Sequence, residues 1–247
     1  TSKPSREQLS WHVKQMRYSG EPGFMNAEAA AKRRPNLEGA NPCMEVLLDR
    51  EQMCNLTTVN VMRFVRDGKL AEKDLFEAQR LSIRAAFRMT FLDLELDQWD
   101  IKHKRDRLVG CGLSGWQDMV NATAISSEEQ SKLRKKLKDI AHKEAESYAQ
   151  KLGVNPPILV TTVKPDGNIV QLPAVSSGVH YSHAPYFIRR VRINASDPLL
   201  KVCEELGYDI KPENGQTEEN CRTKVISFPC SAPEGKTKDD VSAIEQL

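Results

Sequence analysis

The stretch that most constrains fold and chemistry is Asn41-Pro42-Cys43-Met44-Glu45, followed by Met53-Cys54-Asn55-Leu56. It places a thiol, a carboxamide and a carboxylate within five residues, and a second thiol lies eleven positions after the first. Thiolates are nucleophiles and carboxylates accept protons. In an extended or looped backbone, residues 41, 43 and 45 project to the same side. The segment therefore predicts one concave site that receives all three side chains.

The composition indicates a soluble globular protein rather than a nucleic-acid or membrane protein. Of 247 residues, 39% are hydrophobic and 28% are charged, and 36 basic residues nearly balance 34 acidic ones. A net charge of +2 gives no signal for DNA, RNA or a membrane surface. The six cysteines have neither the density of a disulfide scaffold nor the spacing of a zinc site. We therefore expect reduced thiols, a cytoplasmic location and no bound metal.

Hydrophobic periodicity predicts helices that alternate with strands. Helices are expected over residues 5–19, 71–89 and 128–152, the last capped by Ser127 and Gly153. The inward face of the second helix is predicted to consist of Leu75, Ala78, Leu81 and Ala85. Strands are expected over residues 158–163 (buried) and 224–228, and residues 56–65 are rich in β-branched residues. A further helix is expected after Ser196-Asp197-Pro198. This alternation favours an α/β architecture with parallel pairing.

Several motifs together carry a family resemblance. Asn-x-Cys-x-Glu with a second cysteine before Asn-Leu resembles the active-site loop of the large catalytic subunit of ribonucleotide reductases. Further segments resemble the same family in the same order: Gly20–Phe24, the Arg107–Gly115 turn, Thr161–Gly167 continuing to Ser176–His180, and Ile188–Arg192. The resemblance implies part of a ten-stranded α/β barrel, with the active-site cysteine on an inner finger loop.

The resemblance also implies a role for each residue of the opening motif. Cys43 would form the thiyl radical that takes the 3′ hydrogen of a ribonucleoside di- or triphosphate. Glu45 would accept the 3′ hydroxyl proton, and Asn41 would hydrogen-bond the ribose hydroxyls. Cys54 would be one of two cysteines that reduce the 2′ position. The alternatives are a small buried hydrophobic residue for Cys43 and a buried strand thiol for Cys54.

The loop Pro165-Asp166-Gly167-Asn168 resembles the substrate-phosphate loop of the family. Gly167 allows close approach of the backbone, and a short helical turn after it would direct free N–H groups toward an anion. The sequence departs from the family pattern because Asp166 and Asn168 stand where small hydroxylated residues are usual. Asp166 is unfavourable beside phosphates unless it faces away. A surface turn without ligand is the alternative. His180 is a further candidate for lining the site, or a structural histidine.

The short gap between Cys43 and Cys54 is similar to the adenosylcobalamin-dependent class, and so is Gly178-Val179-His180 followed by Tyr186–Arg190. That class makes its radical by homolysis of a cobalt–carbon bond. The alternative is a radical supplied by a separate metal-containing subunit. Cys111 is expected to serve packing, and the Arg189–Arg192 run either reaches phosphates or forms a solvated strand edge.

The resemblance places residues 1–247 in the C-terminal portion of the catalytic barrel, with residues 232–247 as a loose tail. We expect the partner cysteine of Cys54 to lie on a separate N-terminal portion, and re-reduction to need an external thioredoxin-like protein. The chain by itself is expected to be inactive. Two alternatives stay open: a catalytically silent reductase fragment that acts in assembly, and an unrelated thiol redox or metal-binding domain.

Overall fold

The computed structural model describes residues 3–20 and 23–246. Along the chain its helices are α1 Arg6–Ser19, α2 Ala27–Arg33, α3 Glu72–Met89, α4 Asp97–Asp106, α5 Trp116–Thr123, α6 Ser127–Leu152, α7 Leu199–Glu205 and α8 Ala243–Gln246. The strands are β1 Gly39–Ala40, β2 Leu47–Leu48, β3 Asn55–Asn60, β4 Val65–Arg66, β5 Lys69–Leu70, β6 Val109–Ser114, β7 Tyr186–Asn194, β8 Asp209–Pro212 and β9 Thr223–Ser231. The order confirms an α/β protein.

A parallel sheet forms the centre of the N-terminal two thirds. β3 and β6 pair in parallel from Asn55–Val109 to Asn60–Ser114. Residues 158–162 extend the sheet beyond β6, because the Val109 and Cys111 amides donate to the carbonyls of Leu159 and Val160. The predicted buried strand is therefore present as an outer segment. Only Val160 is buried in it, and Ile158 and Val163 are exposed.

Helices α3 and α6 pack together on one face of this sheet. The side chains that fill the space between helices and sheet include Ile83, Ala86, Val109, Cys111, Ala141, Ala145 and Val160. The predicted inward face of α3 is partly wrong: Leu75 is buried, but Leu81 and Ala85 are exposed, and Ile83 and Phe87 are buried instead. Helix packing selected a stripe rotated from the one expected, because the neighbouring helix α6 and β6 determine which side is covered.

The caps of α6 fix its length. Ser126, not Ser127, is the N-cap, since its hydroxyl accepts from the Glu129 amide while Glu129 accepts from the Ser126 amide. Gly153 ends the helix in the left-handed conformation, as predicted.

The Arg107–Gly115 segment is not a turn. It is strand β6, preceded by left-handed Arg107 and followed by left-handed Gly115 at the start of α5. The alternating glycines Gly110 and Gly112 leave the face opposite the helices free of side chains, so that Thr162 and Thr58 lie directly against the backbone. The upstream Gly20–Phe24 motif includes residues 21 and 22, which lie outside the described residues.

The C-terminal third departs from the predicted parallel pairing. β7, β9 and β8 form an antiparallel sheet in that order. Residues 189–192 lie in β7 at its edge, with Arg192 paired to Glu213. Residues 232–247 were expected to be a loose tail, but Thr237 is buried and forms a parallel β-bridge with Ser182.

Candidate active site

The opening motif forms a hairpin loop between β1 and β2, whose register pairs Ala40 with Leu47. The Asn41 side chain closes this loop, because its Oδ1 accepts a hydrogen bond of 2.9 Å from the Val46 amide. Met44 has a left-handed backbone with φ of 62°. The backbone is therefore a turn and not extended, and the predicted alternation of residues 41, 43 and 45 is wrong in its geometry. Cys43 is exposed at the tip of this finger loop.

The finger loop rests on the sheet face opposite the helices. The Thr162 hydroxyl donates to the Glu45 carbonyl at 2.5 Å. The Glu45 side chain is 1% exposed, and neither carboxylate oxygen has a hydrogen-bond partner within the described residues. The Lys164 ammonium lies 3.9 Å from Glu45 Oε1. The loop thus presents an exposed thiol and a buried carboxylate two positions apart in one turn.

A buried polar network anchors both ends of the finger loop. Arg34, which precedes it, donates to Gln52 Oε1 at 2.7 Å and to Asp106 Oδ2 at 2.8 Å. Gln52, which follows it, donates to the same Asp106 oxygen at 2.6 Å and accepts from the Asp49 amide. Burial opposes ionisation of Asp106, but Arg105 and Arg34 outweigh it and lower its pKa to about 2.

Cys54 immediately precedes β3 and is partly buried. Burial raises the pKa of its thiol, the Glu45 charge raises it further, and Lys164 opposes both. A protonated thiol is the form that can give up hydrogen. The electrostatic coupling to Glu45 and Lys164 places Cys54 in the same local environment as the finger loop.

The Pro165–Asn168 loop follows the outer segment of the sheet. Asp166 is 3% exposed, has φ of 54°, and both of its carboxylate oxygens lie 3.1 Å from the Thr58 hydroxyl. Burial raises the Asp166 pKa, while the Thr58 hydrogen bond and Lys164 lower it. Asp166 therefore faces inward, and Gly167 and Asn168 are exposed. A short 3-10 turn, Ile169–Gln171, follows.

Helix α5 holds the remainder of this long loop. The Gly115 and Trp116 amides donate to the carbonyls of Ser176 and Gly178, and the Ser176 amide donates to Asp118 at 2.6 Å. His180 is exposed, and its charge lowers the Asp166 pKa. The loop that carries residues 165–180 is thus fixed over the carboxyl ends of β3 and β6.

The structure adds three residues to the predicted set: Thr58, Thr162 and Lys164. Their hydrogen bonds and ion pair join segments more than 100 residues apart in sequence, so no local pattern could indicate them. Of the three, Lys164 could most easily have been predicted from the sequence, because it immediately precedes the proposed phosphate loop. Cys111 lies on the opposite face of the sheet, where burial raises its pKa to about 11.

No cluster of three or more His, Cys, Asp or Glu side chains with metal-site geometry occurs in residues 3–20 and 23–246. Across the same residues, no helix combines the length and the apolar character that a membrane crossing requires.

The chain is similar to known proteins over most of its length. An adenosylcobalamin-dependent ribonucleoside-triphosphate reductase of Lactobacillus acidophilus is 32% identical over 92% of this chain and 34% of the relative. The protein of the same description from Lactobacillus leichmannii is 29% identical over 94% of this chain and 36% of its own. The chain thus spans about a third of the length of these relatives.

Solved structures show the same fold. A crystal structure described as a B-12 dependent (class II) ribonucleotide reductase matches 94% of this chain and 36% of its own chain, with a TM-score of 0.75 and 26% identity. The class Id ribonucleotide reductase alpha subunit of Actinobacillus ureae matches 82% of this chain and 43% of its own, with a TM-score of 0.57. At 20% identity that second likeness concerns the fold alone. Residues 4–152 match the family described as "Ribonucleotide reductase, barrel domain". This chain therefore belongs to the ribonucleotide reductase barrel-domain family.

Proposed function

We propose that this chain supplies the finger loop and part of the substrate site of a ribonucleotide reductase. The protein would reduce ribonucleoside triphosphates, the substrate class in the names of its relatives. The observation that carries the proposal is the hairpin loop that exposes Cys43 while it buries the Glu45 carboxylate beside Cys54 and Lys164. It would work in the cytoplasm with the rest of a longer catalytic subunit, as the length of the relatives suggests.

Each residue of the finger loop has a separate task in this proposal. Cys43, as a thiyl radical, would take the hydrogen atom from the 3′ carbon of the ribose. Glu45 would accept the 3′ hydroxyl proton, because no described residue donates a competing hydrogen bond to its carboxylate. The Asn41 oxygen is already used by the Val46 amide. Its Nδ2 group would therefore be the part that donates to a ribose hydroxyl.

Cys54 would act with a second cysteine from outside this chain. The two thiols would supply two protons and two electrons, the 2′ oxygen would leave as water, and the cysteines would end as a disulfide. Burial favours the protonated thiol form that this reaction consumes. A thioredoxin-like protein would then reduce the disulfide.

Phosphate recognition would depend on backbone amides in residues 165–168. The inward orientation of Asp166 removes its carboxylate from the exposed surface of the loop. The space around Gly167 is open, with no heavy atom within 4 Å of a Cβ built there, so an anion could approach the backbone closely. Asn168 is exposed beside it, and His180 is exposed on the same long loop. These positions would hold the triphosphate.

Adenosylcobalamin is the proposed radical source, as in the relatives. When bound, that cofactor supplies a carbon-centred radical by homolysis of its cobalt–carbon bond. The residues here fit such a donor, because the thiol of Cys43 and the side chain of Met44 are exposed at the loop tip. Hydrogen-atom transfer needs direct access to the sulfur. A separate metal-containing radical subunit is the alternative source.

The test uses the complete protein that carries this chain. With adenosylcobalamin, a dithiol reductant and ribonucleoside triphosphates, we expect deoxyribonucleotide formation that Cys43→Ser abolishes. Cys203→Ser, on α7, is the matched control and should retain activity. Equal activity in both variants would contradict the assigned role of Cys43. An inactive wild-type protein that still assembles with its remaining portion would favour the silent-fragment alternative.

A further inference from the structure

The Glu45 side chain is buried without any hydrogen bond from the described residues. Its side chain is 1% exposed, and neither carboxylate oxygen accepts a hydrogen bond from any described residue. Within the same residues, Lys164 is the sole salt-bridge partner of Glu45, with 3.9 Å between Nζ and Oε1. A buried carboxylate without donors is strongly disfavoured in its ionised form unless a positive charge lies close by. Among the described residues, Lys164 is therefore the positive charge placed to offset the buried Glu45 carboxylate.

The backbone of Lys164 is fixed by two glycines. A Cβ at Gly178 would lie 2.3 Å from the Lys164 carbonyl oxygen, so the two segments cross in direct backbone contact. Gly112 of β6 lies beneath the Lys164 Cβ, at 3.8 Å from a Cβ built on that glycine. The side chain therefore starts from a rigid point, and 31% of it remains exposed. Because the Lys164 backbone is held in place, the ammonium reaches Glu45 by rotation of the lysine side chain alone.

Three titratable groups, Glu45, Cys54 and Asp166, interact electrostatically with this ammonium, and His180 acts on Asp166. Glu45 and Cys54 lie on the finger-loop side, and Asp166 and His180 lie on the long loop. The Thr58 hydroxyl lies within hydrogen-bond distance of both Asp166 carboxylate oxygens. Because a hydroxyl has one hydrogen to donate, it satisfies only one of these oxygens at a time. Two buried carboxylates thus compete for one lysine. The geometry of the cluster makes the lysine the residue that balances their charge.

We propose that Lys164 is a positioning residue for the proposed reaction: it places a positive charge beside the buried Glu45 carboxylate and orients that carboxylate as the proton acceptor. This inference rests on the proposed function. In the step concerned, one proton moves from the substrate hydroxyl to a Glu45 oxygen, and Lys164 keeps all its protons throughout. When Glu45 becomes neutral, the lysine charge remains available to Asp166 and to the substrate phosphates.

The experiment compares Lys164→Met, Lys164→Gln and Lys164→Arg in the complete protein. The matched control is Lys224→Met, which removes a lysine on β9 that has 18% side-chain exposure and pairs with Glu218. The first readout is the pH dependence of iodoacetamide labelling at Cys54, followed by peptide mass spectrometry. Because Lys164 lowers the Cys54 pKa, Met and Gln should move the labelling midpoint to higher pH. Arg and the control should leave it near wild type.

The second readout is the pH profile of kcat/KM. Met and Gln should lose about tenfold or more near neutral pH, and a tenfold change corresponds to about 1.4 kcal/mol. The acidic limb of the profile should move to higher pH, because the substitution removes the positive charge that lies 3.9 Å from a buried carboxylate. Arg should restore most of the activity. Equal loss in Arg, Met and Gln, or an unmoved acidic limb, would overturn the role of Lys164. A shifted Cys54 midpoint in a protein without any reductase activity would instead support the lysine cluster and contradict the proposed function.

Discussion

Replacing Arg34 by methionine tests whether the buried network at the base of the finger loop sets the stability of that loop. The Arg34 side chain is 6% exposed and donates two short hydrogen bonds, to Gln52 and to Asp106. Breaking a buried charge pair by removing one partner costs about 3–5 kcal/mol. Asp106 keeps Arg105, with two contacts of 2.6 Å, which reduces the penalty for the remaining carboxylate. We therefore expect a loss of about 2–4 kcal/mol in the free energy of unfolding.

Urea unfolding at pH 7 measures this loss, with Arg66→Met as the control. Arg66 also forms a short ion pair, at 2.9 Å, but its side chain is 69% exposed and should contribute about 0–1 kcal/mol. Chymotryptic cleavage after Leu47 or Leu48 provides a local readout, because opening of the finger loop exposes β2. A 2–4 kcal/mol loss confined to this region would raise the cleavage rate by about 30- to 1000-fold. If Arg34→Met costs no more than Arg66→Met, the network does not anchor the loop.

Two other predictions concern the long loop. Gly178→Ala should cost about 2–4 kcal/mol and reduce activity, because its φ is 55° and the new Cβ would lie 2.3 Å from the Lys164 carbonyl oxygen. Gly153→Ala, also at positive φ but with no atom within 4 Å, should cost about 1–2 kcal/mol, and equal losses in thermal unfolding would refute the close-crossing argument. The pKa of Asp166 is higher in the folded protein than its ordinary value of 3.8. The protonated Asp166 side chain therefore stabilises the fold below pH 3.8, and this stabilisation is lost as the pH rises through the pKa of the folded state. Asp166→Asn should therefore gain stability relative to wild type as the pH rises from about 4 to 7, and a constant difference in urea unfolding across that range would contradict the assigned burial.

Local sequence patterns were sufficient where a structure depends on its own neighbours. The capping residues predicted α6 to within one residue, since Ser126 and Glu129 satisfy each other and Gly153 adopts a left-handed backbone. The helix α1 and the existence of β9 were predicted for the same kind of reason. The buried face of α3 was not predicted correctly, because the burial of Ile83 instead of Leu81 depends on where α6 and β6 lie.

The candidate site shows the same division. Its chemistry was readable from Asn41, Cys43, Glu45 and Cys54, and the family comparison agrees with the resemblance that these residues carry. The sequence left open whether residues 41–45 are extended or looped, and the structure shows a turn, because Asn41 closes it and Met44 has a positive φ. The assigned roles remain proposals.

The sequence by itself determined the limits of α1, α3 and α6 to within one residue, the alternating α/β order of the first two thirds, and the set of reactive groups that indicates the family. Only the tertiary structure decided that Glu45 is buried while Cys43 is exposed, that Asp166 faces Thr58, and that β7–β9 pair antiparallel. The physical reason is the separation along the chain between the residues that interact. Caps and periodicity act over a few residues, whereas burial, charge balance and strand pairing depend on partners far away in the chain, such as Arg34 and Asp106.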